Sequence, residues 1–172
     1  MDDPIYLIGQ FFGVIAVILG FVTYQVRTQK MLLLVHILTT LVFVIHYLLI
    51  GAMSGMALNV VAMVRDLVYS RRDLKIFSGK GWPIVFAVIM GIMGLLSWQD
   101  WYSVFVVLGL VINSLCMAFQ DPQKIRKSIL VTSPLVLIYD GFALSVGGMV
   151  YESVAIVSAL VGILRFRKQN AK

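Results

Sequence analysis

The chain has 172 residues, of which 60% are hydrophobic and 13% charged, and it carries a net charge of +6. Soluble domains are nearer half apolar and a quarter charged, so the balance excludes an ordinary soluble domain and indicates an integral membrane protein. The positive total is then no sign of nucleic-acid binding, because membrane proteins concentrate Lys and Arg in cytoplasmic loops.

The start, Met1-Asp2-Asp3-Pro4, is acidic and lacks the basic region of a secretory signal. The first apolar run is therefore read as a retained span. A hydrocarbon core of about 30 Å takes roughly 17–25 apolar helical residues. Seven candidate spans follow in order: 5–25, 31–50, 53–70, 83–98, 101–119, 128–146 and 149–167. The stripe Gly9, Gly13, Ala16 and Gly20 on the first span reads as a packing seam, as does Ala87, Gly91 and Gly94 on the fourth. The third span is interrupted by Asn59, Arg65 and Asp66, and the fourth is short. Cys116, the single cysteine, lies in an apolar run and reads as a buried structural thiol.

The loops give the orientation. Arg27 and Lys30 follow the first span, and Arg71, Arg72, Lys75 and Lys80 the third. Lys124, Arg126 and Lys127 follow the fifth, and Arg165, Arg167, Lys168 and Lys172 the seventh. The opposite ends carry Asp2, Asp3 and Asp100. This alternation predicts an external N-terminus and a cytoplasmic C-terminus. Trp82, Trp98 and Trp101 fall at span ends, where indole rings favour the interface. With this topology Arg65 is expected to snorkel toward headgroups, and His36 is expected to be structural.

One pattern occurs twice. GMALNVVAMV begins at Gly55 and GMVYESVAIV at Gly148, an offset of 148 − 55 = 93. The same offset pairs Ile45-His46-Tyr47 with Ile138-Tyr139-Asp140, and Thr40 with Ser133. Upstream, the aromatic-Gln pairs Tyr24-Gln25 and Phe119-Gln120 match at offset 95, which places a two-residue difference in the first loop of each half. Spans one to three thus match spans five to seven, and the fourth restores the orientation. The expected fold is all-α, with seven transmembrane helices in a 3+1+3 arrangement of two parallel repeats. The units are residues 1–75, an inversion helix at 76–100, and residues 101–172. Parallel repeats of this kind are a transporter architecture.

This plan, with aromatic-Gln closing the first helix of each repeat, resembles the PQ-loop superfamily, which includes the SWEET and SemiSWEET sugar transporters, nicotinamide riboside transporters and the KDEL receptor. The stretches GFVTYQVRTQK, NVVAMVRDLVYS and YESVAIVSALVGILRFR resemble most closely the YgjV family of bacterial inner-membrane proteins. The resemblance implies a multi-pass protein of the bacterial inner membrane. The superfamily's proline is missing: Tyr24 and Phe119 stand before Gln25 and Gln120, and a Pro-Gln occurs in the loop at Pro122-Gln123.

Ionisable groups within spans cost roughly 2.5–3.5 kcal/mol each on insertion scales and mark functional positions. His46, Asn59, Tyr139, Asp140 and Glu152 are expected in one layer of the outer half, with Asn113 nearer the midplane. These six are the candidate substrate-binding residues. Asn59 donates and accepts, whereas ionised Glu152 only accepts, so repeat-related places supply an asymmetric lining. Glu152, Asp140 or His46 could carry a proton. Gln25, Gln120, Arg65 and Asp66 are candidate gate or helix-end elements. No phosphate-binding loop, H-E-x-x-H, paired cysteines or G-x-S-x-G elbow occurs, so no enzyme, cofactor or metal site is expected. The expected function is a facilitator or proton-coupled carrier for a small polar metabolite such as a sugar, nucleoside or vitamin precursor. The KDEL-receptor likeness supplies the alternative, a receptor or assembly factor without transport. The expected partners are the lipid bilayer and a small-molecule substrate, with no nucleic acid and the oligomeric state open.

Overall fold

The computed structural model describes residues 4–166; Asp2, Asp3, Arg167, Lys168 and Lys172 lie outside them. The described residues form seven α-helices, one short 3-10 turn and no strand. The helices are α1 (Pro4–Thr23), α2 (Gln29–Leu49), α3 (Met53–Ser70), α4 (Trp82–Leu96), α5 (Ser103–Met117), α6 (Pro122–Phe142) and α7 (Val146–Phe166).

Helix starts follow local chemistry. Thr28 caps α2 by accepting from Met31 N, and Asp121 caps α6 by accepting from Gln123 N, which satisfies amides that have no partner within the helix. Pro122 then occupies the first turn, where its missing N–H costs nothing. Asp-Pro was the available signal for this start, and α6 begins six residues before the span expected at 128. Lys124, Arg126 and Lys127 therefore stand on its first two turns and not in a loop. The α1–α2 connection is residues 24–28 and the α5–α6 connection 118–121. The two differ by one residue, not by the two that the aromatic-Gln alignment implies.

The helices close into a ring. In order around it, α1 packs on α2, α2 on α3, α3 on α5, α5 on α6, α6 on α7 and α7 on α1. α4 stands outside, against α3 and α5. α1 and α7 run parallel: Tyr6 and Gln10 bond the Leu144 carbonyl, and Gln25 bonds Ser158. α3 and α5 also run parallel, with Ser54 beside Ser103, Arg65 on Asn113 and Arg72 on the Ala118 carbonyl.

The α2–α3 and α6–α7 turns match bond for bond at offset 93. The amides of Ile50, Gly51 and Ala52 bond the carbonyls of His46, Leu48 and Tyr47. Those of Ala143, Leu144 and Ser145 bond the carbonyls of Tyr139, Gly141 and Asp140. Each turn needs one left-handed residue after the helix. Gly51 supplies it at φ 77° in the first turn and Leu144 at φ 53° in the second.

α1, α2 and α7 are long and apolar enough to cross a membrane. α4 and α5, with 15 residues each, reach about 22 Å at 1.5 Å per residue and fall short of a 30 Å core. The outside is apolar: Ile5, Ile8, Phe11 and Ile18 on α1 and Ile84, Val88, Leu95 and Leu96 on α4 are all more than half exposed. Trp98 and Trp101 are exposed at the turn before α5, while Trp82 packs on Phe86. The small-residue stripe of α1 is buried throughout. On α4 Gly94 packs against Val107, whereas Gly91 has open space beside it. Cys116 is half-buried, not fully buried.

Candidate functional site

Apolar stripes bury the ring's interior, yet its centre is polar. A cavity of about 40 Å³ lies there. Asn59 and Ala62 of α3, Asn113 of α5 and Glu152 of α7 line it. Thr39 and Thr40 of α2 and Thr132 and Ser133 of α6 face each other across it, and Tyr24, Phe43, Tyr47 and Tyr151 contribute rings. A water needs roughly 10–15 Å³ of such space, so the volume holds about three waters and no sugar.

Three of the six expected binding residues, Asn59, Asn113 and Glu152, thus line the cavity, with the Asn59 amide donating to the Gly55 carbonyl at 2.9 Å. His46, Tyr139 and Asp140 do not. They form a plug at the end of the ring that carries the α2–α3 and α6–α7 turns. Tyr47 donates to Asp140 Oδ1 at 2.7 Å, and the Gly55 amide donates to Tyr139 Oη at 3.0 Å. His46 lies 2.8 Å from the Gly9 carbonyl through Nδ1 and 2.7 Å from Ser145 Oγ through Nε2. His46, Tyr139, Asp140 and Ser145 have almost no exposed surface. Tyr47 and Asp140 are themselves related by the offset (47 + 93 = 140), and their bond joins α2 to α6 across the centre.

Toward the other end, four side chains form a charged network. Asp66 accepts from Arg65 Nε at 2.8 Å and lies 2.6 Å from His36 Nδ1; Arg65 Nη1 donates to Asn113 Oδ1 at 3.2 Å. Arg65 is fully buried, which overturns the expectation that it snorkels. Its neighbour in sequence already neutralises it, so burial is feasible without reaching lipid headgroups. Arg65 Nη2 is buried with no protein partner. His36, expected to be structural, both bonds Asp66 and lines the cavity. In the second half the places of His36, Arg65 and Asp66 are Ile129, Ser158 and Ala159. There Gln25 donates to Ser158 Oγ at 3.0 Å, and Ser158 donates to the Phe21 carbonyl at 2.9 Å.

Arg126 was not singled out in sequence. It is buried, donates to the Tyr24 and Val26 carbonyls at 3.0 and 2.6 Å, and stacks on Phe166. Its signal was its position five residues into a capped helix, hidden while those residues read as loop. Gln25 and Gln120 have unlike roles: Gln25 ties α1 to α7, while Gln120 is exposed beside a surface groove with Arg72 and Lys80.

An all-helical bundle with an apolar outer surface and charged groups buried inside defines a helical membrane protein. The chain belongs to the bacterial inner membrane protein family Imp-YgjV, whose profile matches residues 7–170. No curated protein and no solved structure matches it.

Proposed function

We propose that this protein is a multi-pass carrier for a small polar solute, built in the SWEET-like 3+1+3 manner and working by alternating access. α1–α3 and α5–α7 are the two bundles, α4 is the inversion helix, and the N-terminus faces outward. The bundle end holding Arg27, Lys30, Arg71 and Lys127 faces the cytoplasm, in keeping with the positive-inside rule. The observation that carries the reading is the small polar cavity between two sets of helices whose turns agree bond for bond. A cavity on such a quasi-symmetric seam opens to one side or the other as the bundles rock. With room for only a few waters, the cavity is too tight for a solute in this arrangement, and the Tyr47–Asp140 bond covers its external side.

The test is flux into proteoliposomes of labelled sugars, nucleosides and vitamin precursors, comparing wild type with Glu152→Gln and Asn59→Ala. Saturable uptake of one compound, lowered at least tenfold by both changes, is the expected result. Saturable binding without flux, in correctly inserted protein, would replace the carrier with a receptor.

A further inference from the structure

The charges around the cavity do not balance. Glu152 is the one carboxylate among the described lining residues, and no Lys or Arg accompanies it. The nearby guanidinium of Arg65 is matched by Asp66, which also engages His36. The remaining titratable groups facing Glu152 are Tyr24 at the end of α1, Tyr47 on α2, Asp140 on α6 and Tyr151 on α7. None is a cation; His36 of α2 lines the cavity as well, but its ring is engaged by Asp66, and α5 contributes Leu110 and the neutral Asn113. Glu152 has the Ser133 hydroxyl as its neighbour. Glu152 is half-buried, and an ionised carboxylate drawn partly out of water with no counter-ion beside it is disfavoured. A proton or a positive ligand relieves that cost.

The walls select the kind of ligand. Four aromatic rings, Tyr24, Phe43, Tyr47 and Tyr151, line the same space. Tyr47 stacks on Phe43 with ring centroids 5.5 Å apart, and Tyr151 meets Phe43 edge-on at 4.6 Å. Aromatic faces attract organic cations through their quadrupole. The hydroxyls of Thr39, Thr40 and Thr132 leave room for accessory hydrogen bonds.

We propose that the cavity takes a small organic cation, an ammonium or guanidinium compound, with the Glu152 carboxylate as its counter-ion, and exchanges it for a proton. This rests on the carrier reading of the same cavity. On one side of the membrane the cation displaces the Glu152 proton to water. On the other side a proton from water rejoins the carboxylate as the cation leaves. Both half-cycles keep the site neutral, so the ionised carboxylate never crosses alone.

The test uses the full chain in detergent and in vesicles enclosing a pH dye, with choline, tetramethylammonium and methylguanidinium as monovalent cations, glucose and uridine as neutral probes, and sodium as the inorganic control. At pH 8 at least one organic cation should raise the melting temperature saturably. Its affinity should weaken at least tenfold at pH 5, where protons compete. Glu152→Gln should abolish the effect without lowering the unliganded melting temperature, while Glu152→Asp retains part of it. In vesicles acidic inside, the same cation should drive proton efflux that glucose does not. Flux of a neutral probe without any response to cations would overturn the cation class and leave the carrier standing. A response to sodium alone, or a cation response untouched in Glu152→Gln, would also overturn it. Absence of cation binding and of all flux would sink both readings.

Discussion

Asp66 engages two partners at once, Arg65 on its own helix and His36 on α2. Removing one member of a buried pair leaves the other uncompensated, at about 3–5 kcal/mol. Asp66→Asn should therefore lower stability by that order, read as a fall in melting temperature in detergent. Replacing both charges, Arg65→Met with Asp66→Leu, should recover most of the loss, because an apolar pair of similar volume carries no desolvation cost. If the double variant melts no higher than Asp66→Asn, the network contributes something beyond charge compensation. At this scale the sequence was partly readable. It gives Arg65 and Asp66 as adjacent charges in an apolar run, but the third partner is 30 residues away and the fourth 48. Only tertiary packing reveals that Arg65 turns inward to Asn113.

At the scale of helices, the contact between α1 and α7 depends on missing side chains. A Cβ built on Gly13 would lie 2.6 Å from Gly147 Cα. That atom is backbone and cannot rotate away, so Gly13→Ala should force the helices apart and cost about 1–3 kcal/mol as an overpacked site. Gly91 of α4 meets nothing within 4 Å, so Gly91→Ala should stabilise by up to about 1 kcal/mol through helix propensity alone. Melting both variants side by side separates packing from propensity; equal shifts would refute the distinction. The turns give a matching pair. Leu144 occupies the left-handed region and is half exposed, a conformation that costs an L-residue about 1–2 kcal/mol. Leu144→Gly should be neutral or slightly stabilising, and Gly51→Leu destabilising by about 1 kcal/mol in the same assay. Helix existence was legible because apolar runs and Gly stripes are local. The start of α6 was missed because basic residues in a first turn look like a loop, and Leu144 because its turn geometry is a property of the repeat and not of leucine.

For the molecule as a whole, the Tyr47–Asp140 bond holds the plug between α2 and α6. On the carrier reading, Tyr47→Phe removes the donor and should favour the outward-open arrangement. The check is labelling of Asn59→Cys, in a Cys116→Ser background, by a membrane-impermeant thiol reagent added outside. Labelling should quicken at least tenfold with Tyr47→Phe; an unchanged rate would mean that this bond does not close the cavity. The paired positions of the plug were visible in sequence as a repeat, but not that they bond to each other, because one copy of a repeat does not reveal where its axis passes.

The ring closes through α1 on α7, while α4 rides outside on α3 and α5. A closed circuit of six helices has no intrinsic first member. The chain needs a connection between parallel neighbours at one seam only, and α4 is that strap. A circular permutant that begins at α5, with a second strap-like helix joining the end of α7 to the start of α1 and α4 deleted, should thread the same circuit. The seam that carries the strap is thus a matter of connection and not of packing.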